Sequence, residues 1–139
     1  LGSLDNDGLT RAIKAGLSPL GSNWAINYTQ PQLAGGINST AADYAVFLRG
    51  LITQNLQMGK LLGSHAVCTN PNVCPSQAIK TPLPTTEQWQ YSLGHWVESD
   101  PKVGDGSFSS PGAFGFYPWI DAHRRFYGIV ARASMEAAC

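Results

Sequence analysis

The side chains whose types could do chemistry together are concentrated near the end of the chain. Ser109 and Ser110 lie in a run from Gly106 to Asp121, His123 follows two residues later, and His95 stands upstream. A serine, a histidine and an aspartate can attack a carbonyl when the carboxylate orients an imidazole that takes the hydroxyl proton. The spacing here argues against such a triad. Asp121 and His123 are separated by one residue in a predicted turn, and no serine sits in a nucleophile elbow. His95 and His123 therefore read as packed or turn residues. The same run carries Gly106, Gly112 and Gly115, and glycine within a strand marks a bulge or a close backbone approach. The small residues Ser110-Pro111-Gly112-Ala113 would let a peptide-like ligand lie along the chain as an added strand. An edge strand merely softened by Gly and Pro is the alternative, and the pattern leaves both open.

The cysteines offer a second kind of chemistry. Cys68 and Cys74 flank Thr69-Asn70-Pro71-Asn72-Val73, a stretch rich in turn formers, and read as a local disulfide. A disulfide points to an oxidising compartment, the periplasm or outside the cell. Zinc held by His65, Cys68 and Cys74 is the sharper alternative, but no second ligand pair follows at finger-like spacing. Cys139 is left over. The chain calls for no cofactor.

Several elements must hold these residues. Leu9, Ile13 and Leu17, after Asp5 or Asn6 as an N-cap, predict a short helix over Asp5 to Leu17. From Ser18 to Ile37 the chain reads as a long irregular connection that tucks in Trp24, Tyr28 and Leu33. Thr40-Ala41-Ala42-Asp43 is a capping box, and Ala42, Val46, Phe47, Leu51 and Ile52 recur at helical spacing, which predicts a helix from Thr40 to Asn55. The mechanism of capping makes Asp43 a helix-start residue before it makes it a catalytic acid. A weaker helical turn passes Leu61 and Leu62, and Thr81 to Thr86 is too rich in proline for regular structure. Trp89, Tyr91 and Leu93 alternate with Gln90, Ser92 and Gly94, predicting a strand over Gln90 to Glu98. Two more strands are expected, Ser107 to Ile120 with a break near Pro111 and Phe126 to Ala133, joined across Asp121-Ala122-His123-Arg124. Ala133 to Ala138 looks like the start of a helix.

Composition narrows the partners. Charged residues make up 13% of the 139 residues, with nine basic against nine acidic, so there is no basic footprint for nucleic acid or for an anionic membrane. No apolar run is long enough to span a bilayer. Neutral or small ligands fit this balance better. The hydrophobic content of 43% is ordinary for a globular core, and one folded unit is the default expectation.

Three segments also fall in a familiar order. Gly35-Gly36-Ile37-Asn38-Ser39-Thr40-Ala41-Ala42-Asp43 resembles the Gly-Gly-apolar-x-Ser-Thr-Ala-x-Asp segment that leads into a helix in the serine β-lactamase-like family, which includes class C β-lactamases, D,D-peptidases and related esterases. Tyr91-Ser92-Leu93-Gly94-His95-Trp96 is similar to that family's Tyr-Gly-Leu-Gly-apolar-Trp strand. Ser110-Pro111-Gly112-Ala113-Phe114-Gly115, with Trp119-Ile120-Asp121 and Gly128-Ile129-Val130-Ala131, resembles its Lys-Thr-Gly or His-x-Gly strand and those after it.

The resemblance implies an α+β fold, an antiparallel sheet flanked by helices as in part of a β-lactamase or transpeptidase. Residues 1–88 would be mainly helices and loops, 89–133 strands, and 134–139 the start of a C-terminal helix. It also implies a hydrolase that acts on an amide or ester through an acyl-enzyme. Ser110, Pro111 and Gly112 would then line the substrate, and Ala113 would bind substrate and supply an oxyanion-hole N–H. The substrate would be a small molecule or peptide-like. Ser110 stands where the family has a cation, which disfavours substrates recognised by a carboxylate. The nucleophile motif Ser-x-x-Lys and the Tyr-x-Asn lie upstream of Gly35 in that family, and neither precedes Gly35 here. The chain therefore reads as the C-terminal part of such an enzyme, inactive alone and partnered by its N-terminal portion or by itself. The rival reading from another class is a non-catalytic module that binds carbohydrate or peptide through exposed aromatics.

Overall fold

The computed structural model describes residues 25–26, 37–75, 78, 81, 86–112 and 114–132. The helix expected over Asp5 to Leu17, the residues Trp24, Tyr28 and Leu33, most of the proline-rich run, Ala113, the segment from Ala133 and Cys139 lie outside the described residues. The chain divides into two compact units, residues 1–49 and 50–139.

In the first unit β1 (Ala25–Ile26) and β2 (Ile37–Asn38) form an antiparallel pair with Ala25 opposite Asn38. Helix α1 (Ala41–Ile52) follows directly. Its start is set where the sequence places it: the Thr40 hydroxyl accepts the Asp43 amide at 3.1 Å, and the Thr40 carbonyl accepts Tyr44 N–H at 3.0 Å. This satisfies donors that no helical carbonyl can reach. The buried stripe differs from the expected one, because Leu48 and Leu51 are its most enclosed members while Ala42 is exposed. The helix stops at Ile52, short of Asn55, and Gln54 takes a left-handed φ of 59°.

The second unit is built on a six-stranded antiparallel sheet in which every strand pairs with its sequence neighbour: β3 (Val67–Cys68), β4 (Gln90–Tyr91), β5 (Trp96–Val97), β6 (Phe108–Ser109), β7 (Tyr117–Ile120) and β8 (Tyr127–Val130). The antiparallel α+β character is as the sequence predicts, but the three long strands are not. Gln90 to Glu98 is a hairpin rather than one strand. Gly94 turns the chain at a φ of 83°, and Ser92 N–H reaches the His95 carbonyl at 2.8 Å. A left-handed turn of this kind is open to glycine at little steric cost. Ser107 to Ile120 is likewise two strands facing each other, with Phe108 opposite Ile120 and Ser109 opposite Trp119. The hairpin of β7 and β8 across Asp121 to Arg124 is present as expected, with Trp119 opposite Gly128.

Register divides the side chains between two faces. Cys68, Gln90, Val97, Phe108, Ile120 and Tyr127 share one, and Val67, Tyr91, Trp96, Ser109, Trp119 and Gly128 the other. The first face packs under the short helix α2 (Gln57–Lys60) and the turn after it. There Gly63 lies so near the Phe108 ring that a methyl on it would come within 2.8 Å, and Leu62 and Ile120 are buried. Gly59 fits α2 against the end of α1, where a Cβ would run into the Leu51 backbone.

That contact has no flexible side chain to move aside. Gly59→Ala is expected to destabilise the protein by about 1–3 kcal/mol, the usual cost of overpacking, read as a lower urea midpoint at an unchanged slope.

Candidate functional site

The turn after β7 positions everything near the expected site. Asp121 is 6% exposed and accepts three backbone amides: Arg125 N–H at 2.5 Å and Phe126 N–H at 2.8 Å on Oδ1, and His123 N–H at 3.2 Å on Oδ2. The Arg125 guanidinium adds an ion pair at 3.6 Å. Burial works against its ionisation, but the Phe126, Arg125 and His123 amides outweigh it and hold the carboxyl below the ordinary range. Arg124, at a left-handed φ of 57°, turns back to donate to the Gly59 and Leu62 carbonyls at 3.2 and 3.1 Å, with its guanidinium 5.7 Å from the Phe108 ring centroid.

His95 closes the other side of the same turn. It is 5% exposed, its Nε2 accepts Gly63 N–H at 2.9 Å, and its Nδ1 lies 3.3 Å from the Leu93 carbonyl. An acceptor at Nε2 and a donor at Nδ1 describe the neutral Nδ1–H tautomer. Burial lowers its pKa below 6.5, and the Leu93 carbonyl offsets this only in part.

No triad is assembled from these residues. His95 packs edge-on to Phe108, whose strand neighbour Ser109 points to the opposite face, and Asp121 is committed to turn amides. His123 is exposed in the turn. The zinc set is not assembled either, since Cys68 and Cys74 are joined to each other with their Cα atoms 6.2 Å apart. Among the described residues no group of three His, Cys, Asp or Glu could hold a metal.

The small-residue ribbon forms the loop between β6 and β7. Ser110 and Gly112 are exposed and Pro111 is half-buried; Ala113 lies outside the described residues. Ser110 N–H bonds the Pro118 carbonyl at 3.1 Å, Gly112 N–H the Phe116 carbonyl at 2.7 Å, and Gly115 N–H the Gly112 carbonyl at 3.0 Å. Both backbone groups of Gly112 are thus used by the loop itself. A Cβ there would stand 3.3 Å from the Phe116 oxygen, a tight approach that asks the loop to give by a few tenths of an ångström. Phe114 projects from the loop, 55% exposed.

A Ser-x-x-Lys spacing that sequence reading missed occurs downstream, at Ser99-Asp100-Pro101-Lys102. It is not a nucleophile and base on one helix turn. Ser99 Oγ donates to the Gln88 carbonyl at 3.0 Å, and Asp100 organises a turn through the amides of Gln88, Lys102 and Val103. Those amides, Gln88 first, hold the Asp100 carboxyl below its ordinary range.

The opposite face of the sheet carries an arrangement with no counterpart in the sequence reading. Gly106 and Ser107 both oppose Glu98, since Glu98 N–H bonds the Ser107 carbonyl at 3.0 Å and Gly106 N–H the Glu98 carbonyl at 2.8 Å. With Gly106 at a φ of 79°, this is a glycine bulge, which re-aims side chains on a strand. Glu98 there accepts the Tyr117 hydroxyl. Burial, then Glu98 as acceptor and as a neighbouring charge, raises the Tyr117 pKa and keeps the phenol protonated.

No family model, no curated protein and no solved structure matches the chain. Among the described residues no helix is long and apolar enough to cross a membrane.

The histidine geometry sets a pH dependence. A protonated ring cannot accept Gly63 N–H, so the unfolded chain binds the proton more readily than the folded one. Stability contributed by His95 is present above pH 6.5 and is lost as pH falls from there through the lower folded-state pKa. Urea midpoints measured from pH 8 to pH 5 are expected to fall in this way, and His95→Gln to flatten the fall.

Proposed function

We propose that this chain is the C-terminal portion of a serine hydrolase of the β-lactamase-like kind, inactive alone and acting on an amide or ester through an acyl-enzyme once its N-terminal portion supplies the nucleophile and base. The observation that carries the reading is the order of the three resembling segments along the chain. Support comes from the capped start of α1 after Ile37 to Thr40. Tyr91 to Trp96 is a hairpin and Ser110 to Gly115 a loop, where the resembling family segments are strands. The substrate would meet Ser110, Pro111 and the outer side of Gly112. By the resemblance, the oxyanion role falls to the Ala113 N–H. The partner is the N-terminal portion of the same enzyme or a second copy. The disulfide fits a periplasmic or secreted setting.

A second reading, a non-catalytic module for carbohydrate or peptide, is favoured by one observation. Val67, Tyr91, Phe126 and Val130 are all exposed on the sheet face that also holds Trp96 and Trp119. Flat aromatic faces with few charges suit neutral ligands.

Turnover of a chromogenic ester separates the two. The chain alone is expected to give none, and the chain assembled with the polypeptide encoded upstream of it to give measurable turnover; a verified complex without turnover would overturn the hydrolase reading. In that complex Gly112→Ala, which adds one methyl beside the substrate path, is expected to lower kcat/KM about a hundredfold through misplacement of the substrate. Unchanged kinetics would remove the loop from the site.

A further inference from the structure

Beyond the loop, one small cavity is built from polar and aromatic groups together. Glu98, Asp105, Ser107, Tyr117 and Trp119 enclose about 160 Å³ on the aromatic face of the sheet. The Trp119 indole covers Gly128 on the neighbouring strand so closely that a Cβ on that glycine would come within 2.5–2.7 Å of the ring. The glycine thus gives the indole a flat seat, and the Phe126 ring steadies it edge-on at 5.8 Å.

The polar groups around this platform are incompletely used. Asp105 Oδ1 accepts Ser107 N–H at 2.8 Å, and one Glu98 oxygen accepts Tyr117; among the described residues neither carboxyl has a basic partner. Ser109, opposite Trp119 in register, is 2% exposed, and its hydroxyl lies against the Tyr117 hydroxyl. To reach Glu98, whose row of the sheet contains Ser107, the Tyr117 side chain must pass over Ser109. The Ser109 hydroxyl therefore lies under the phenol that lines the cavity and helps to hold it there.

We propose that this cavity is a subsite for a single pyranose ring, stacked on Trp119 with its hydroxyls donating to Glu98 and Asp105. Stacking needs a flat, seated ring, and vicinal hydroxyls match open carboxylate oxygens; the volume is below the range of drug-sized pockets and admits one ring, not a chain. The inference rests on the aromatic face of the second reading and holds whether or not the chain also completes a hydrolase.

The test is a titration of the full chain with glucose, N-acetylglucosamine and glucosamine, followed by the indole N–H resonance of Trp119 in ¹H–¹⁵N spectra, with ethylammonium as a cation control. Affinity in the millimolar range is expected, about 1 mM corresponding to a weak single-ring contact. A saturable shift with at least one pyranose, weakened at least tenfold by Glu98→Gln while the rest of the spectrum is retained, supports the proposal. Glu98→Gln keeps an oxygen for Tyr117, so its effect is not one of folding. No saturable shift for any of the sugars overturns it, and so does an equal shift with ethylammonium, which would make the cavity a cation site. The readout is binding rather than turnover, so it fails or succeeds independently of the ester assay.

Discussion

One carboxylate governs the second unit of this protein. Asp121 gathers the amides of His123, Arg125 and Phe126, and a five-residue turn is thereby given a single conformation. Arg124, forced into a left-handed backbone by that turn, is aimed at the carbonyls of Gly59 and Leu62. The first of these carbonyls lies within, and the second just after, a helix of four residues that is too short to hold itself together. The helix exists because it is gripped from outside, by Arg124 at one place and by His95 through Gly63 at another. Phe108 fills the space between, in contact with both guanidinium and imidazole.

The two grips differ in kind. Arginine keeps its charge over the accessible pH range and donates to carbonyls, so that tether is indifferent to acid. The histidine tether works in the opposite direction, with the ring accepting a backbone proton, and it depends on the ring staying neutral. Buried against the Phe108 ring and away from water, the neutral form is the one the fold selects.

What the sequence disclosed follows from how local each feature is. The start of α1 was legible because Thr40 and Asp43 sit within one turn and their types are specific to that geometry. The hairpin of β7 and β8 was legible because a polar turn interrupts two aromatic runs. Gln90 to Glu98 misled because the alternation of Trp89, Tyr91 and Leu93 runs up to the turn, whereas Tyr91 and Trp96, which one strand would put on opposite faces, are cross-strand partners 4.8 Å apart between ring centroids; Gly94 alone signals the reversal. The Trp119 platform was invisible because it joins Glu98, Ser107, Tyr117 and Gly128 from four strands, and no spacing along the chain encodes that meeting. Ser110 and Gly112 could be singled out by type, but only the loop's own bonding shows that the amide and carbonyl of Gly112 are already taken by Phe116 and Gly115.

The cysteine loop carries a different consequence. Asn70 presents its carbonyl to the amides of Val73 and Cys74 and its side-chain oxygen to Asn72 N–H, while Thr69 holds the loop to Trp89 through both its amide and its hydroxyl. These bonds shape the same loop that the Cys68–Cys74 disulfide closes. A ring this small removes little freedom from the unfolded chain, roughly 2 kcal/mol by the loop-entropy relation. Oxidation therefore fastens a bend that peptide groups hold as well, so that sulfur and backbone share the work of keeping one small loop closed.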